Sequence, residues 1–257
     1  MFGAIYGDIV GSVYEFDNAK SMDFPLLTKQ SDFTDDSVMT VATMDVLLHH
    51  GNYTERYRHW YAEYPAAGYG FRFYQWARKD NLEPYNSWGN GSAMRVSPIG
   101  FWFDTMEETR AEARKSAAVT HNHPEGIRGA EATAAAIFLA RQHASKDEIK
   151  AYITSEFGYD LTESVESIRT WYKFDESCQG TVPQAIICFL ESENFADAIR
   201  KAIYIGGDSD TIACIVGGIA EAYYGITQEV RDTVMEYLTE DLGQVVEEFY
   251  HRLESKV

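Results

Sequence analysis

The sequence predicts an all-α fold, a single-domain compact bundle of about ten helices with its functional residues expected at helix N-termini and loops. Three observations predict it. Apolar residues recur at helical spacing through most of the chain. Alternating apolar and polar runs, the mark of a half-buried strand, are absent. The 257 residues contain no long linker, low-complexity tract or internal repeat, so residues 1–257 are expected to form one domain.

Taken in order, the chain opens on a glycine-punctuated segment, Gly3 to Glu15. The first strong stripe is Val38, Met39, Val41, Ala42, Met44, Leu47 and Leu48, directly behind Thr34-Asp35-Asp36. A helix-like run near 106–118 follows. Ile127, Ala130, Ala134, Ile137 and Phe138 form the next stripe, and runs near 146–157, 162–172 and 182–191 continue the pattern. Phe195, Ala198, Ile199, Ala202 and Ile203 repeat the spacing, as do Ile212, Ile215, Val216, Ile219 and Tyr223. Runs near 228–239 and 242–253 close the chain. Breaks fall where Gly, Pro and Asn gather, at Pro65–Gly70, Asn86–Gly91 and Asn122–Gly126.

Composition excludes several classes. A net charge of −18 repels nucleic-acid phosphate and anionic membranes. An anionic ligand must then be held locally, by backbone N–H groups or bound cations. Cys178, Cys188 and Cys214 show no paired spacing, so each is expected to be a buried small hydrophobe in a reducing, cytoplasmic setting. No signal peptide and no apolar run long enough to span a membrane is expected. Seventeen tyrosines and five tryptophans exceed what a core needs, and Tyr69, Phe71, Tyr85 and Trp88 are candidates for stacking on a flat ligand, with core packing as the other reading.

Two acidic clusters carry the chemistry. Thr34-Asp35-Asp36-Ser37 stands where a helix cap would stand, and capping alone would explain it. Gly206-Gly207-Asp208-Ser209-Asp210-Thr211 offers more oxygen than a cap needs. Asp208 and Asp210 converge only on a turn, and Gly206 and Gly207 permit one because they tolerate positive φ. Two unit charges about 4 Å apart repel by about 4 kcal/mol at an effective dielectric near 20. A divalent cation removes that repulsion. An all-oxygen donor set suits Mg²⁺ or Mn²⁺, and four or five carboxylates can hold two ions that activate a water. Solvated helix caps and a metal site both fit the residues at this point.

Five segments in fixed order then resemble the ADP-ribosylglycohydrolase family. They are Gly3-Ala4-Ile5-Tyr6-Gly7-Asp8-Ile9-Val10-Gly11-Ser12-Val13-Tyr14-Glu15; Thr34-Asp35-Asp36-Ser37-Val38-Met39-Thr40; Gly89-Asn90-Gly91-Ser92-Ala93-Met94-Arg95 leading into Pro98-Ile99-Gly100; Thr120-His121; and Gly206 to Thr211. The resemblance implies an all-α fold with two Mg²⁺ or Mn²⁺ ions held by Thr34, Asp35, Asp36, Asp208, Asp210 and Thr211. It implies catalytic roles for Glu15, Asp36 and Asp210, and Asp8 as a supporting residue. Gly89, Asn90, Gly91, Ser92, Met94 and His121 are implied to bind ADP-ribose, the glycines because they let backbone approach phosphate. Arg95 is expected either at the diphosphate or paired with a carboxylate. His123 is expected to be structural.

The implied activity is metal-dependent removal of mono-ADP-ribose from a protein side chain, arginine favoured, by a monomer. An acidic rim suits a guanidinium leaving group. Loops 16–33 and 65–88 are expected on the acceptor side. Two rivals remain: a non-catalytic ADP-ribose-binding protein, and a dinuclear phosphoesterase, which would need neither the Gly89-Asn90-Gly91 loop nor His121.

Overall fold

The computed structural model describes residues 1–19, 21–80 and 83–256. Lys20, Asn81 and Leu82, within the two segments expected on the acceptor side, and Val257, the last residue of the expected domain, lie outside the described residues. Among the described residues there are fifteen helices. They are α1 (Phe2–Gly11), α2 (Asp35–His49), α3 (Tyr53–Glu63), α4 (Phe71–Ala77), α5 (Gly91–Met94), α6 (Ser97–Trp102), α7 (Met106–Ala118), α8 (Pro124–Arg141), α9 (Lys146–Phe157), α10 (Val165–Trp171), α11 (Cys178–Glu191), α12 (Phe195–Ile205), α13 (Ser209–Tyr224), α14 (Gln228–Tyr237) and α15 (Glu240–Glu254). Extended backbone pairs at one antiparallel bridge between Gly89 and Ser177.

All ten expected helices are present, and five others escaped the periodicity. Every residue of α1 is buried, so no polar face marks its period. α3 buries Tyr53, Tyr57, Trp60 and Tyr61, an aromatic stripe behind the Asn52 cap. α4, α5 and α6 are shorter than the window that periodicity needs. α8 starts at Pro124 and so takes in Gly126, expected in the break before it; Pro is favoured in the first turn because its missing N–H is not needed there. The segment 65–88 also contains α4 and is not loop throughout.

α13 is the central helix, buried from Ser209 through Glu221 and packed against α1, α8, α11 and α12. α2 is buried from Asp36 through Leu48 and packs against α1, α3, α6 and α15. Their apolar stripes are therefore parts of helices covered on all sides. The tightest contact is α1 on α13. A Cβ at Gly7 would meet Ala213 O at 2.0 Å, and Cβ atoms at Gly3 and Gly11 would meet Gly217 O and Asp210 Cα at 2.4 Å. Glycines four residues apart share one helix face. The bare face they make seats the C-terminal end of α1 against the first turn of α13.

Candidate active site

The first turns of α2 and α13 meet at one end of the bundle, beside the end of α1 and the 86–91 loop. They line a cleft of about 340 Å³. Glu15, Thr34, Asp35, Asp36, Gly89, Asn90, Gly91, Met94, His121, Asp208, Asp210 and Thr211 all line it. Ser92 does not: its fully buried hydroxyl turns away and donates to Gly126 O at 2.7 Å. Its place in the expected ligand-binding set is not supported by the direction of its side chain.

Local structure explains each position. Thr34 caps α2, its hydroxyl accepting from Asp36 N at 3.2 Å. Ala67 O accepts from Asp35 N at 2.7 Å, so the 65–70 turn folds over the same helix start. Gly206 and Gly207 take φ of 79° and 80°, and this turn delivers Asp208 and Asp210 together. Asn18 ties that turn to the Glu15 loop: its Oδ1 accepts from Gly207 N at 3.1 Å and its Nδ2 donates to Gly207 O and Glu15 O at 3.2 Å.

Asp8 is wholly buried and accepts from Thr34 N at 2.9 Å, Thr34 Oγ1 at 2.7 Å, Ser37 N at 3.0 Å and the Ser37 hydroxyl. It therefore fixes the start of α2 from below. Asp36 accepts from Thr211 Oγ1 at 3.4 Å through Oδ2, while its buried Oδ1 has no protein partner. Asn90 Nδ2 donates to Asp208 Oδ2 at 2.6 Å and to Thr181 Oγ1 at 3.1 Å. Two overlapping groups of carboxylate oxygens result, each within 4.8 Å: Asp8, Asp36 and Asp210, and Glu15, Asp208 and Asp210. Asp35 lines the cleft beside Gly68 and falls outside both groups.

Such crowding penalises the charged forms. Burial, then the Asp8 and neighbouring carboxylates, pushes Asp35 and Asp36 well above the usual carboxylate range. Burial, then Asp36 and Asp208, does the same to Asp210. Burial raises Asp208 against its hydrogen bonds, and raises Asp8 to about 6 against its own. Glu15 is pushed up to about 7 by burial and by Asp208, Glu176 and Asp8.

The opposite wall differs in charge. His121 Nδ1 lies 2.7 Å from Thr120 Oγ1, and burial, then Arg95 and Arg72, drives its pKa well below the ordinary value. Cβ atoms at Gly89 and Gly91 would lie 3.5 and 3.4 Å from His121 Nε2, so bare backbone faces the imidazole. Arg95 also lines the cleft. Its Nη2 bonds Ser116 O at 3.0 Å and Thr120 Oγ1 at 2.8 Å, and its guanidinium sits 4.2 Å from the centre of the Tyr57 ring, so among the described residues its partners are not carboxylates. His123 caps α8 by accepting from Glu125 N. Of the aromatic candidates, Phe71 and Tyr85 line the cleft, whereas Tyr69 stacks on Phe73 and Trp88 packs beside His123.

Four lining residues were not among those singled out from the sequence, and Phe73, stacked on Tyr69, is one of them. Arg72 lies over the Tyr85 ring and donates to Tyr85 O. Ser87 lies at the base of the glycine loop, where its hydroxyl accepts from Gly89 N at 3.1 Å. Glu176 lines the cleft, close enough to Glu15 to help raise its pKa. A signal for it exists: Asp175-Glu176-Ser177 is a third acid-and-hydroxyl cluster standing before a helix.

The chain matches the ADP-ribosylglycohydrolase family over residues 1–257. ADP-ribosylhydrolase ARH3 of Danio rerio is 29% identical over 306 aligned positions, covering 88% of this chain and 82% of that protein. ARH3 of Homo sapiens is 29% identical over 308 positions, covering 88% and 84%. ADP-ribosylarginine hydrolase Tri1 of Pseudomonas putida (strain GB-1) is 25% identical over 260 positions, covering 88% and 70%. A solved chain described as an ADP-ribosylglycohydrolase-related protein complex shares the fold, with a TM-score of 0.73 at 22% identity over 97% of this chain and 96% of that one. Five motif blocks, two distant helix starts brought to one acidic cleft and a family match over the full length lead to one conclusion: this protein belongs to the ADP-ribosylglycohydrolase family and is a glycosidic-bond hydrolase.

Proposed function

We propose that the cleft hydrolyses the bond between mono-ADP-ribose and an arginine side chain of a modified protein, with divalent cations held in the acidic cluster. The observation that carries this is the meeting of the α2 and α13 first turns, which buries Asp36 and Asp210 within one group of oxygens.

The residues fit Mg²⁺ or Mn²⁺. The donors are all oxygen, the crowded carboxylates are disfavoured in their charged forms, and the buried Asp36 Oδ1 lacks a protein partner. Thr34, Asp35, Asp36, Asp208, Asp210 and Thr211 would hold the ions, and the two overlapping oxygen groups that share Asp210 suit a pair. When bound, the ions supply charge neutralisation and Lewis-acid polarisation.

The chain's own residues do the rest. Glu15, half-buried beside the acidic cluster, accepts the proton that the attacking water releases, and the departing guanidine nitrogen takes up a proton as its bond to the anomeric carbon breaks. Asp36 and Asp210 stabilise positive charge developing at the anomeric carbon. The Gly89–Gly91 backbone and His121 receive the diphosphate. Arg95 donates to the Thr120 hydroxyl, whose own proton then serves His121 Nδ1, leaving an Nε2–H toward the loop. Phe71 and Tyr85 offer ring faces to adenine. Support for arginine comes from the acidic lining and from the similarity to an ADP-ribosylarginine hydrolase.

Release of free ADP-ribose from mono-ADP-ribosyl-arginine and mono-ADP-ribosyl-serine peptides, with Mg²⁺ and with EDTA, tests the reading. Faster release from arginine, abolished by EDTA and restored by Mg²⁺, is expected. Release that EDTA leaves untouched removes the cations from the reading, and inert arginine-linked substrate removes the acceptor.

A further inference from the structure

We propose that Glu176, together with the stacked rings of Phe16 and Phe174, reads the acceptor side chain and selects a guanidinium. This rests on the arginine reading above and names the residues that would enforce it.

Glu176 is held in place by its backbone. Asn90 N donates to Glu176 O at 2.7 Å, and Cys178 N donates to Trp88 O at 2.8 Å. The bridge between Gly89 and Ser177 joins the same two segments. The Glu176 side chain thus projects from a fixed platform, with no hydrogen bond or salt bridge to protein among the described residues. Glu15 lines the same cleft, and among the described residues its carboxylate is likewise without one. Two glutamates thus line one cleft, and among the described residues neither carboxylate forms an ion pair. The arginines of the lining, Arg72 and Arg95, lie instead against Tyr85 and Tyr57.

The aromatic pair adjoins both glutamates in the chain. Phe16 follows Glu15, and Phe174 precedes Glu176 by two residues. Their ring centres are 6.2 Å apart with planes inclined by 21°. Phe16 is 86% exposed and Phe174 47% exposed. Neither ring lines the cleft itself; two large apolar rings left in water, one and two residues along the chain from its glutamates, form a lip outside it that is suited to binding.

Guanidinium chemistry matches this lip. The group is planar and always charged, is weakly hydrated, stacks on ring faces and offers a fork of donors to carboxylates. A serine acceptor is small and neutral and draws nothing from a second carboxylate or from the rings. The reaction centre deeper in the cleft is fixed separately by Asp36 and Asp210, so recognition at the lip is separable from the ADP-ribose half of the substrate.

The test compares kcat/KM on arginine-linked and serine-linked mono-ADP-ribosyl peptides for the unaltered enzyme, for Glu176→Gln and for the double variant Phe16→Ala/Phe174→Ala, with the Kd of free ADP-ribose measured on each. Glu176→Gln is expected to lower the arginine-over-serine ratio about tenfold or more, mainly through KM. The double variant is expected to shift the ratio in the same direction, with the ADP-ribose Kd within about twofold. An unchanged ratio in both variants overturns the inference while the arginine reading stands. A loss of ADP-ribose affinity in Glu176→Gln that matches its rise in KM also overturns it, because Glu176 then serves the ADP-ribose half. An unaltered enzyme that prefers the serine linkage overturns the arginine reading itself, before any variant is made.

Discussion

Asp210 belongs to both oxygen groups at the site, so it bears the most crowding of any single residue. Its carboxylate costs stability in the metal-free protein and is central to the proposed chemistry, which gives Asp210→Asn two opposite effects. Turnover should fall about 100-fold or more, read as ADP-ribose release, while the metal-free variant should melt above the unaltered protein. The same crowding sets a pH dependence. Asp8 at about 6 and Glu15 at about 7 both sit above their unfolded values. A carboxyl whose folded pKa is raised contributes stability below its unfolded pKa and loses it as pH rises through the folded value. The urea midpoint of the metal-free protein should therefore fall between about pH 4 and pH 7. A flat midpoint over that window would show that the carboxylates are not penalised as the geometry requires.

Among the elements, the packing of α1 on α13 sets the site. The glycine face of α1 brings Asp8 below the α2 start and Glu15 beside the α13 turn. Asn18 then links the Glu15 loop to Gly207 by three hydrogen bonds. Asn18→Ala removes this link without opening the core. It should lower kcat about tenfold with the helical circular dichroism unchanged. Full activity in that variant would mean that Glu15 is positioned by other contacts. The elements also show what a sequence pattern can carry. α12 was legible because one face is buried and the other is wet, and all five expected positions are buried, with Ile205 added at its end. α1 was not, because a helix buried on every side has no contrast to read.

Over the whole molecule, the acidic excess concentrates an unfavourable field at one cleft. A cation that binds only the folded protein stabilises it by mass action. At free Mg²⁺ about 100-fold above its Kd, the gain is about 2.7 kcal/mol, which for a chain of this size is a rise in Tm of roughly 5–10 °C. Differential scanning calorimetry with Mg²⁺ and with EDTA checks it, and coincident melting curves would count against cation binding at the cluster. Among the described residues no helix is long and apolar enough to cross a membrane. Alignments of 306 and 308 positions use only 88% of this chain, so the ARH3 proteins carry segments that this chain lacks.

The site was legible where its chemistry demanded unusual residue types. Two aspartates in a Gly-Gly turn, or beside a threonine at a helix start, stand out because crowded carboxylates need a reason. Glu176 was missed although Asp175-Glu176-Ser177 repeats the acid-and-hydroxyl pattern before a helix, because that cluster has neither the paired aspartates nor the glycine turn of the other two, and Arg72 because an exposed arginine carries no signal at all. Ser92 was placed at the ligand by its position in the glycine loop, yet a single turn of α5 points its hydroxyl inward.

By itself the sequence determined the helical class, since the spacing of apolar residues follows local backbone geometry. It also determined the chemical nature of both acidic clusters, since donor types are written in the residues. Only the tertiary structure decided that these clusters form one site. Asp36 and Asp210 lie on helices far apart in the chain, and their meeting depends on a close, glycine-faced contact between α1 and α13 that no local pattern encodes. The same holds for the lip, where Phe16 and Phe174, far apart in the chain, stack on one another. Helix formation is a property of neighbours in sequence, whereas the charge crowding that gives this cleft its character arises from neighbours in space.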